Sequence, residues 1–495
     1  MATEAGAGAL GGTMPGREND LRTLETRGMA PIPLDNRYGG VHRVFTVWFA
    51  PNLGIAAFFI GTLATASFVG IGFKLGVAAI VIGTFIGALP VAYMCSWGPR
   101  TGVAQLPLAR IPFGKTVVLP GLLMWLSAIA WDAINGIFGA QALRLLFHIP
   151  FWLGLLIILA LQGLIGVFGY EVLHTYQKWM SVVIGVMFVI LTVKIVSVGD
   201  FSAPATAHGG ALAGGFTLMV AITLGAVIGW APYASDYSRY MKPETSPAAI
   251  FWATLAGLTL SIVWIEFLGL VAAQLATKVT VGGIRTIMGG GALGALALVA
   301  IGLGTVAANA MNDYSGSLAL QAAGVRILRP LVAAIMTAAA FGLTMWLNAG
   351  NLASKFTNLV LFVGYWATPF AAVVIVDWLQ QGGRLDLSRI LRPESLRTGW
   401  SGLVALAAGF GAAVPFMNTT LFVGPLSAHL LFGGDIAYYV GFVVAAIVFA
   451  VASRIEGDRP STAGDRRVLA SATAAGDPEL HAIRRPGANA GRMGF

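Results

Sequence analysis

The sequence predicts an all-α integral membrane protein of about twelve transmembrane helices, arranged as two inverted five-helix units plus two further helices, with the first and sixth helices broken. Three observations predict it. Hydrophobic residues make up 57% of the 495 and charged residues only 10%, with a mean hydropathy of +0.80, whereas an average soluble domain carries about 25% charged residues. Apolar runs of the ~20 residues that a bilayer-spanning helix needs recur along the whole chain. Two of those runs, WFAP at 48–51 and WAP at 230–232, are interrupted by a Trp and an Ala-Pro pair.

The runs fall near 43–70, 74–98, 116–146, 150–168, 172–198 and 213–234. Six more follow near 247–277, 293–322, 329–348, 353–378, 399–423 and 435–453, with the third and eighth unusually long. The membrane domain then covers 41–455, with repeat one about 43–198, repeat two about 213–378 and the extra helices about 399–453. Residues 1–40 hold no apolar h-region, so they read as a cytoplasmic segment with no cleaved signal peptide suggested. Residues 456–495 are rich in Ala, Gly, Pro and Arg without apolar periodicity and read as a disordered cytoplasmic tail.

The net charge of +9 invites a nucleic-acid partner, but the placement of the charges argues otherwise. If the N-terminus is cytoplasmic, all of the 30 Lys and Arg except Lys74, Arg144, Lys194, Lys278, Arg285 and Lys355 fall on the inner side. That is the positive-inside bias, and it puts both termini in the cytoplasm of a multi-pass protein of the plasma (inner) membrane. The single cysteine, Cys95, excludes an intrachain disulfide and a cysteine metal cluster. Six histidines at 42, 148, 174, 208, 429 and 481 show no metal or nucleophile spacing, so neither an enzyme nor a resident cofactor is called for. A channel would show a repeated filter or a ring of charges, and none is evident.

Proline removes a backbone donor, and the freed carbonyl is costly in lipid unless protein, ion or water satisfies it. A proline kink without function accounts for either break alone. Taken together, breaks at Pro51 and Pro232, five spans apart in units of opposite orientation, are the sequence pointer to a secondary transporter's central site.

Helix three supplies chemistry for that site in SAIAWDAINGIFGAQ, residues 127–141. Trp131 and Asn135 share a face four residues apart, so a flat aromatic surface lies beside an amide, a pair suited to a planar heterocycle. Helix packing is the alternative for the same spacing. Asp132, about 100° around the helix, is an intramembrane ionisable group, able to carry a proton, meet a cation or contact a ligand amine, or to be held between helices. Glu266 in SIVWIEFLG is a second such group, expected nearer the outer half. On helix eight, TVAANAMNDYSGS at 305–317 puts Asn309 and Asn312 on one face, with Asp313 four after Asn309. The spacing does not choose between ligand contact and polar packing.

GPRTGVAQLPLARIPFG at 98–114, GWAPYASDYSRY at 229–240 and VIVDWL at 374–379 resemble the nucleobase:cation symporter-1 family, and within it the purine-cytosine permease branch, over roughly residues 35–455. The resemblance implies a LeuT-like core of two five-helix repeats, a transported nucleobase such as cytosine or a purine, and a coupling ion that is H+ or Na+. It implies that Trp131 stacks the substrate ring, that Asn135 and Asn309 read its edge, and that a second aromatic from the broken sixth helix flanks it. The aligned position for that aromatic is Val227, with Trp230 one turn on as its replacement. It also implies an ion site of carbonyls near the first break, at Pro51 and Asn52, and helix-eight oxygens. There the sequence reads Leu303, Gly304 and Thr305, which leaves one side-chain oxygen at Thr305, or a proton carried on Asp132. Small-residue pairs such as Gly83 and Gly87 fit close helix contacts. A transporter of another small heterocycle, vitamin or amine, or a substrate sensor, is compatible with the same residues; oligomeric state is not encoded in any of them.

Overall fold

The computed structural model describes residues 31–457 apart from 169, 200, 276–280, 326–328, 384 and 392–395. The segment before residue 31 and the tail after 457 lie outside the described residues. Among the described residues the regular structure is all helical save one isolated bridge, Asn418 to Val423. Nine helices among the described residues are long and apolar enough to cross a membrane, and three shorter apolar helices lie at 55–65, 151–165 and 400–416.

The first apolar run is helical as α1 (Val41–Phe49), turns through Ala50–Gly54 and resumes as α2 (Ile55–Thr62). Pro51 has no amide proton to continue the ladder, and Gly54 is extended. The Trp48 carbonyl freed by the turn accepts instead from Asn52 Nδ2 at 2.7 Å. After α3 (Gly72–Cys95) come two short helices, α4 (Gly98–Thr101) and α5 (Gln105–Phe113). The run at 116–146 becomes α6 (Val118–Phe147), followed by α7 (Phe151–Phe168), α8 (Tyr170–Val198) and α9 (Gly210–Ile228). Helix α9 stops at the second interruption, and Ala231–Tyr233 forms one 3-10 turn before the chain bends away.

The second half repeats the order: α10 (Pro247–Leu275), the short α11 (Val281–Ile287), α12 (Gly291–Ala322), α13 (Arg329–Asn348) and α14 (Leu352–Gln380). Helices α6 and α12, at 30 and 32 residues, are the long pair expected from the sequence. After the short α15 (Ser388–Leu391) come α16 (Trp400–Ala413), α17 (Pro425–Leu430) and α18 (Ala437–Glu456). The span expected over 399–423 is therefore shorter than its apolar run, giving way to a 3-10 turn at Val414–Phe416 where Pro415 withdraws a donor.

Two packed groups emerge. Helices α1, α2, α3, α9 and α10 contact one another, as do α6, α7, α12 and α13, with α8 touching both. Glycines allow the first group to close: a Cβ on Gly83 would stand 2.6 Å from the Val220 carbonyl, and one on Gly269 only 1.8 Å from the Phe58 carbonyl. Gly61 is the counterpart, where a Cβ would lie 1.8 Å from the Glu266 carbonyl oxygen, so α2 and α10 run in backbone contact.

The stretch 98–114, which lies between the second and third apolar runs, is mostly helical and buried. Its Arg110 donates to the carbonyls of Ala322 and Ile390, both at 3.0 Å, and so caps the end of α12. Asp236 accepts from the Gln105 amide at 2.8 Å and from Ser315 at 2.6 Å, while Arg239 donates to Tyr314 at 2.7 Å. These two residues are buried ties among α5, the second interruption and α12.

Candidate functional site

A cavity lies between the two interruptions, bordered by α2, α6, α8, α9, α10 and α12. Counting the open solvent at its mouth, the non-atom space there is about 880 Å³. The two interruptions meet at it directly: Trp230 Nε1 donates to Asn52 Oδ1 at 3.2 Å. Asn52 thus spans the break, with its amide nitrogen on the Trp48 carbonyl and its oxygen on Trp230. Trp48 packs edge-on against Trp230, with ring centroids 5.7 Å apart, and Trp230 packs in turn on Tyr233.

Trp131 and Asn135 both border the cavity from α6, and Trp230 borders it from the second break itself, just after α9. Pro51, Asn52 and Thr305 line it as well. Val227, the position aligned with the second aromatic, is buried and is not among the lining residues, whereas Trp230 is. Trp131 is half-buried, leaving part of its ring toward the open space.

Asn309 does not border the cavity. It stands one layer back, where its Oδ1 accepts from Asn135 Nδ2 at 2.9 Å and its Nδ2 donates to Gln162 Oε1 at 2.6 Å and to the Asp132 carbonyl at 3.1 Å. Its neighbour Asn312 does line the cavity and donates to Asp132 Oδ1 at 3.1 Å. Asp132 is fully buried behind Asn312, with its carboxyl next to that of Asp313. The second oxygens, Asp132 Oδ2 and Asp313 Oδ1, have no hydrogen-bond partner among the described residues.

Gln162, Tyr233 and Phe188 escaped the sequence reading. Gln162 bridges Asn309 and Asp313, at 3.4 Å to the latter, and its signal was a lone amide in the apolar run of α7. Tyr233 lines the cavity with a buried hydroxyl that has no hydrogen-bond partner among the described residues, and it directly follows the conspicuous Trp-Ala-Pro. Phe188 comes from α8, whose apolar face carries no polar landmark.

For a cation the oxygens are few. Leu303 and Gly304 offer none from side chains, the Leu303 carbonyl accepts from Tyr176 at 3.1 Å, and Thr305 Oγ1 leans on the Asn135 carbonyl at 3.5 Å. No group of three or more His, Cys, Asp or Glu stands together among the described residues.

The model of the family described as "permease for cytosine/purines, uracil, thiamine, allantoin" matches residues 31–441. The chain belongs to this family. Among relatives of this permease family, the purine-cytosine permease fcyB of Emericella nidulans is 27% identical over 86% of this chain and 87% of its own length. The purine-cytosine permease FCY2 of Saccharomyces cerevisiae is 27% identical over 87% of this chain and 86% of its own. Among solved structures, Mhp1, a nucleobase-cation-symport-1 family transporter in a closed conformation with bromovinylhydantoin bound, superposes with a TM-score of 0.73 at 19% identity, covering 90% of this chain and 99% of that one. Inward-facing Mhp1 gives 0.72 at 20% identity, over 94% and 100%. This likeness shows the fold, the LeuT-like architecture that the family resemblance implied. The permease family is one of multi-pass membrane transporters and not of enzymes.

Proposed function

We propose that this protein is a secondary active symporter that imports a nucleobase, cytosine or a purine, by alternating access across the plasma (inner) membrane with its termini in the cytoplasm. One observation carries the reading: Trp131 and Trp230 border a single cavity with the Asn135 amide beside them, at the meeting point of two broken helices. Two aromatic faces hold a planar ring, and the amide reads its edge. Asn309 acts by holding Asn135, and the relatives' names support the substrate class.

The driving cation is a proton or sodium. A proton would be held at a buried carboxyl, for which the sequence offers Asp132, while sodium would use Thr305 with carbonyls near Pro51 and Asn52. No further cofactor is invoked. The family description also names uracil, thiamine and allantoin, so another small heterocycle is the competing cargo.

The test is uptake of labelled cytosine, adenine and hypoxanthine into proteoliposomes under a sodium gradient alone and a proton gradient alone, with thiamine and allantoin as competitors. Saturable uptake of one of the three nucleobases under either gradient is expected. Uptake of none, with thiamine or allantoin bound instead, would overturn the nucleobase assignment and leave the fold untouched. Asp132→Asn in parallel reports the ion: proton-driven uptake lost in the variant supports a proton at Asp132, and sodium-driven uptake that survives it points to Thr305.

A further inference from the structure

The cavity has one carboxyl in its wall, and it belongs to none of the residues assigned above. Glu266 of α10 is fully buried yet lines the cavity. Its Oε2 accepts from the Thr223 hydroxyl of α9 at 3.2 Å, and its Oε1 has no hydrogen-bond partner among the described residues. No other ionisable residue occurs on α10.

The helices packed against α10 are α1, α2, α3 and α8, with α9 reaching it through Thr223. Their titratable groups with described side chains are His42 and Arg43 of α1, Lys74, Tyr93 and Cys95 of α3, and Tyr176, Lys178 and Lys194 of α8; α2 and α9 have none. Among the described residues none of these hydrogen-bonds or ion-pairs with the Glu266 carboxyl, whose one hydrogen-bond partner is the Thr223 hydroxyl. Tyr233, the other titratable residue lining the cavity, makes no hydrogen bond to it among the described residues.

A buried carboxylate with no countercharge is costly, so such a group holds a proton or meets a cation entering the cavity. A metal cation needs several oxygens. Here Thr223 supplies one, and the adjoining wall is apolar, with Ile262 a turn back on α10 and Ile60 on α2. A proton needs only the open oxygen.

We propose that Glu266 is a proton-binding site of the central cavity that couples proton movement to transport, a reading that rests on the symporter function above. The O–H bond forms at Oε1 with a proton from external water, and it breaks with release of that proton to cytoplasmic water. Asp132 is a layer behind the wall, screened by Asn312, whereas Glu266 borders the space the substrate enters. Glu266 also belongs to the group of helices that contains both breaks, and its backbone touches α2 at Gly61.

The experiment uses the full chain in proteoliposomes, as wild type, Glu266→Gln, Asp132→Asn and Thr223→Val. It measures accumulation of labelled cytosine under a proton gradient, counterflow exchange at equal pH, and the pH titration of carboxyl bands by infrared spectroscopy. The expected result is that Glu266→Gln exchanges without accumulating, loses the pH dependence of exchange and lacks one titrating carboxyl band. Thr223→Val should accumulate with a displaced pH midpoint, because it removes the hydroxyl on Oε2. Accumulation by Glu266→Gln at the wild-type level, or loss confined to Asp132→Asn, overturns the proposal, as does wild-type accumulation driven by sodium alone. Should Glu266→Gln fail to fold, an unmoved midpoint in Thr223→Val overturns it equally. A wild type that takes up no nucleobase sinks the nucleobase assignment alone. The infrared titration then decides Glu266 separately: a band lost in Glu266→Gln upholds the site, and an unchanged titration removes it.

Discussion

At the scale of single residues, the chemistry of this site divides into faces and holders. Trp131 offers a face, and truncating it removes stacking worth ~1–3 kcal/mol per base, so Trp131→Ala should weaken nucleobase binding by roughly ten- to a hundredfold. Equilibrium binding of labelled cytosine to the purified protein checks this, and unchanged affinity would remove Trp131 from the site. Asn309 is a holder, reaching the cavity only through Asn135 at 2.9 Å. Its effect should therefore vanish in an Asn135→Ala background: in a double-mutant cycle, Asn309→Ala weakens binding in the wild type and adds little to Asn135→Ala. Full additivity would mean that Asn309 touches the ligand independently. The sequence made Trp131 and Asn135 legible because a helix puts residues four apart on one face, a rule local to one helix. It could not tell that Asn309 stands behind and Asn312 in front, since that depends on how α12 is rotated against α6. Nor could it tell that Glu266 borders the cavity while Asp132 stands behind Asn312, because the depth of a carboxyl behind a wall is a property of the neighbours.

At the scale of elements, the two interruptions and the glycine contacts work together. Each broken helix frees backbone groups, and the Asn52 side chain answers one of them while also receiving Trp230. Replacing Trp230 by Phe keeps an aromatic face and deletes the donor to Asn52. Such a bond contributes ~0.5–1.5 kcal/mol, so Trp230→Phe should lower thermal stability in detergent modestly while retaining ligand binding. Retained stability together with lost binding would assign the indole nitrogen to the ligand instead. Close approach of α2 and α10 sets a stricter limit. A Cβ at Gly269 falls 1.8 Å from the Phe58 carbonyl, a backbone atom with no rotamer to yield. Gly269→Leu should cost ~1–3 kcal/mol or more through overpacking, measured as a fall in melting temperature, whereas the same change at Gly411, which has nothing within 4 Å, should be nearly silent. Apolar runs and prolines were readable at this scale. Short buried helices such as α5 were not, because nine residues holding two prolines and an arginine carry too little periodic signal to stand out from a loop.

At the scale of the whole molecule, the packing separates α1, α2, α3, α9 and α10 from α6, α7, α12 and α13, and the cavity lies where the groups face each other. Contacts inside the first group run backbone to backbone through glycines, so they resist deformation, while the contact between groups is interrupted by open space. Alternating access by rocking follows if each group moves as a unit. Cys95 is the only cysteine and is buried, which leaves a low background for spin labels on introduced cysteines. Lys74 of α3, Phe147 of α6, Gln274 of α10 and Asn348 of α13 stand at helix ends that the charge pattern assigns to the outer side. Paired labels at Lys74→Cys and Phe147→Cys report across the groups. Pairs at Lys74→Cys with Gln274→Cys, and Phe147→Cys with Asn348→Cys, report within them. On adding nucleobase and the coupling ion, the distance distribution across the groups should change while both distributions within groups hold. If the pair within the first group shifts instead, α3 and α10 do not move together, and access is gated by bending at the breaks around Pro51 and Pro232 rather than by rocking of the group that contains them.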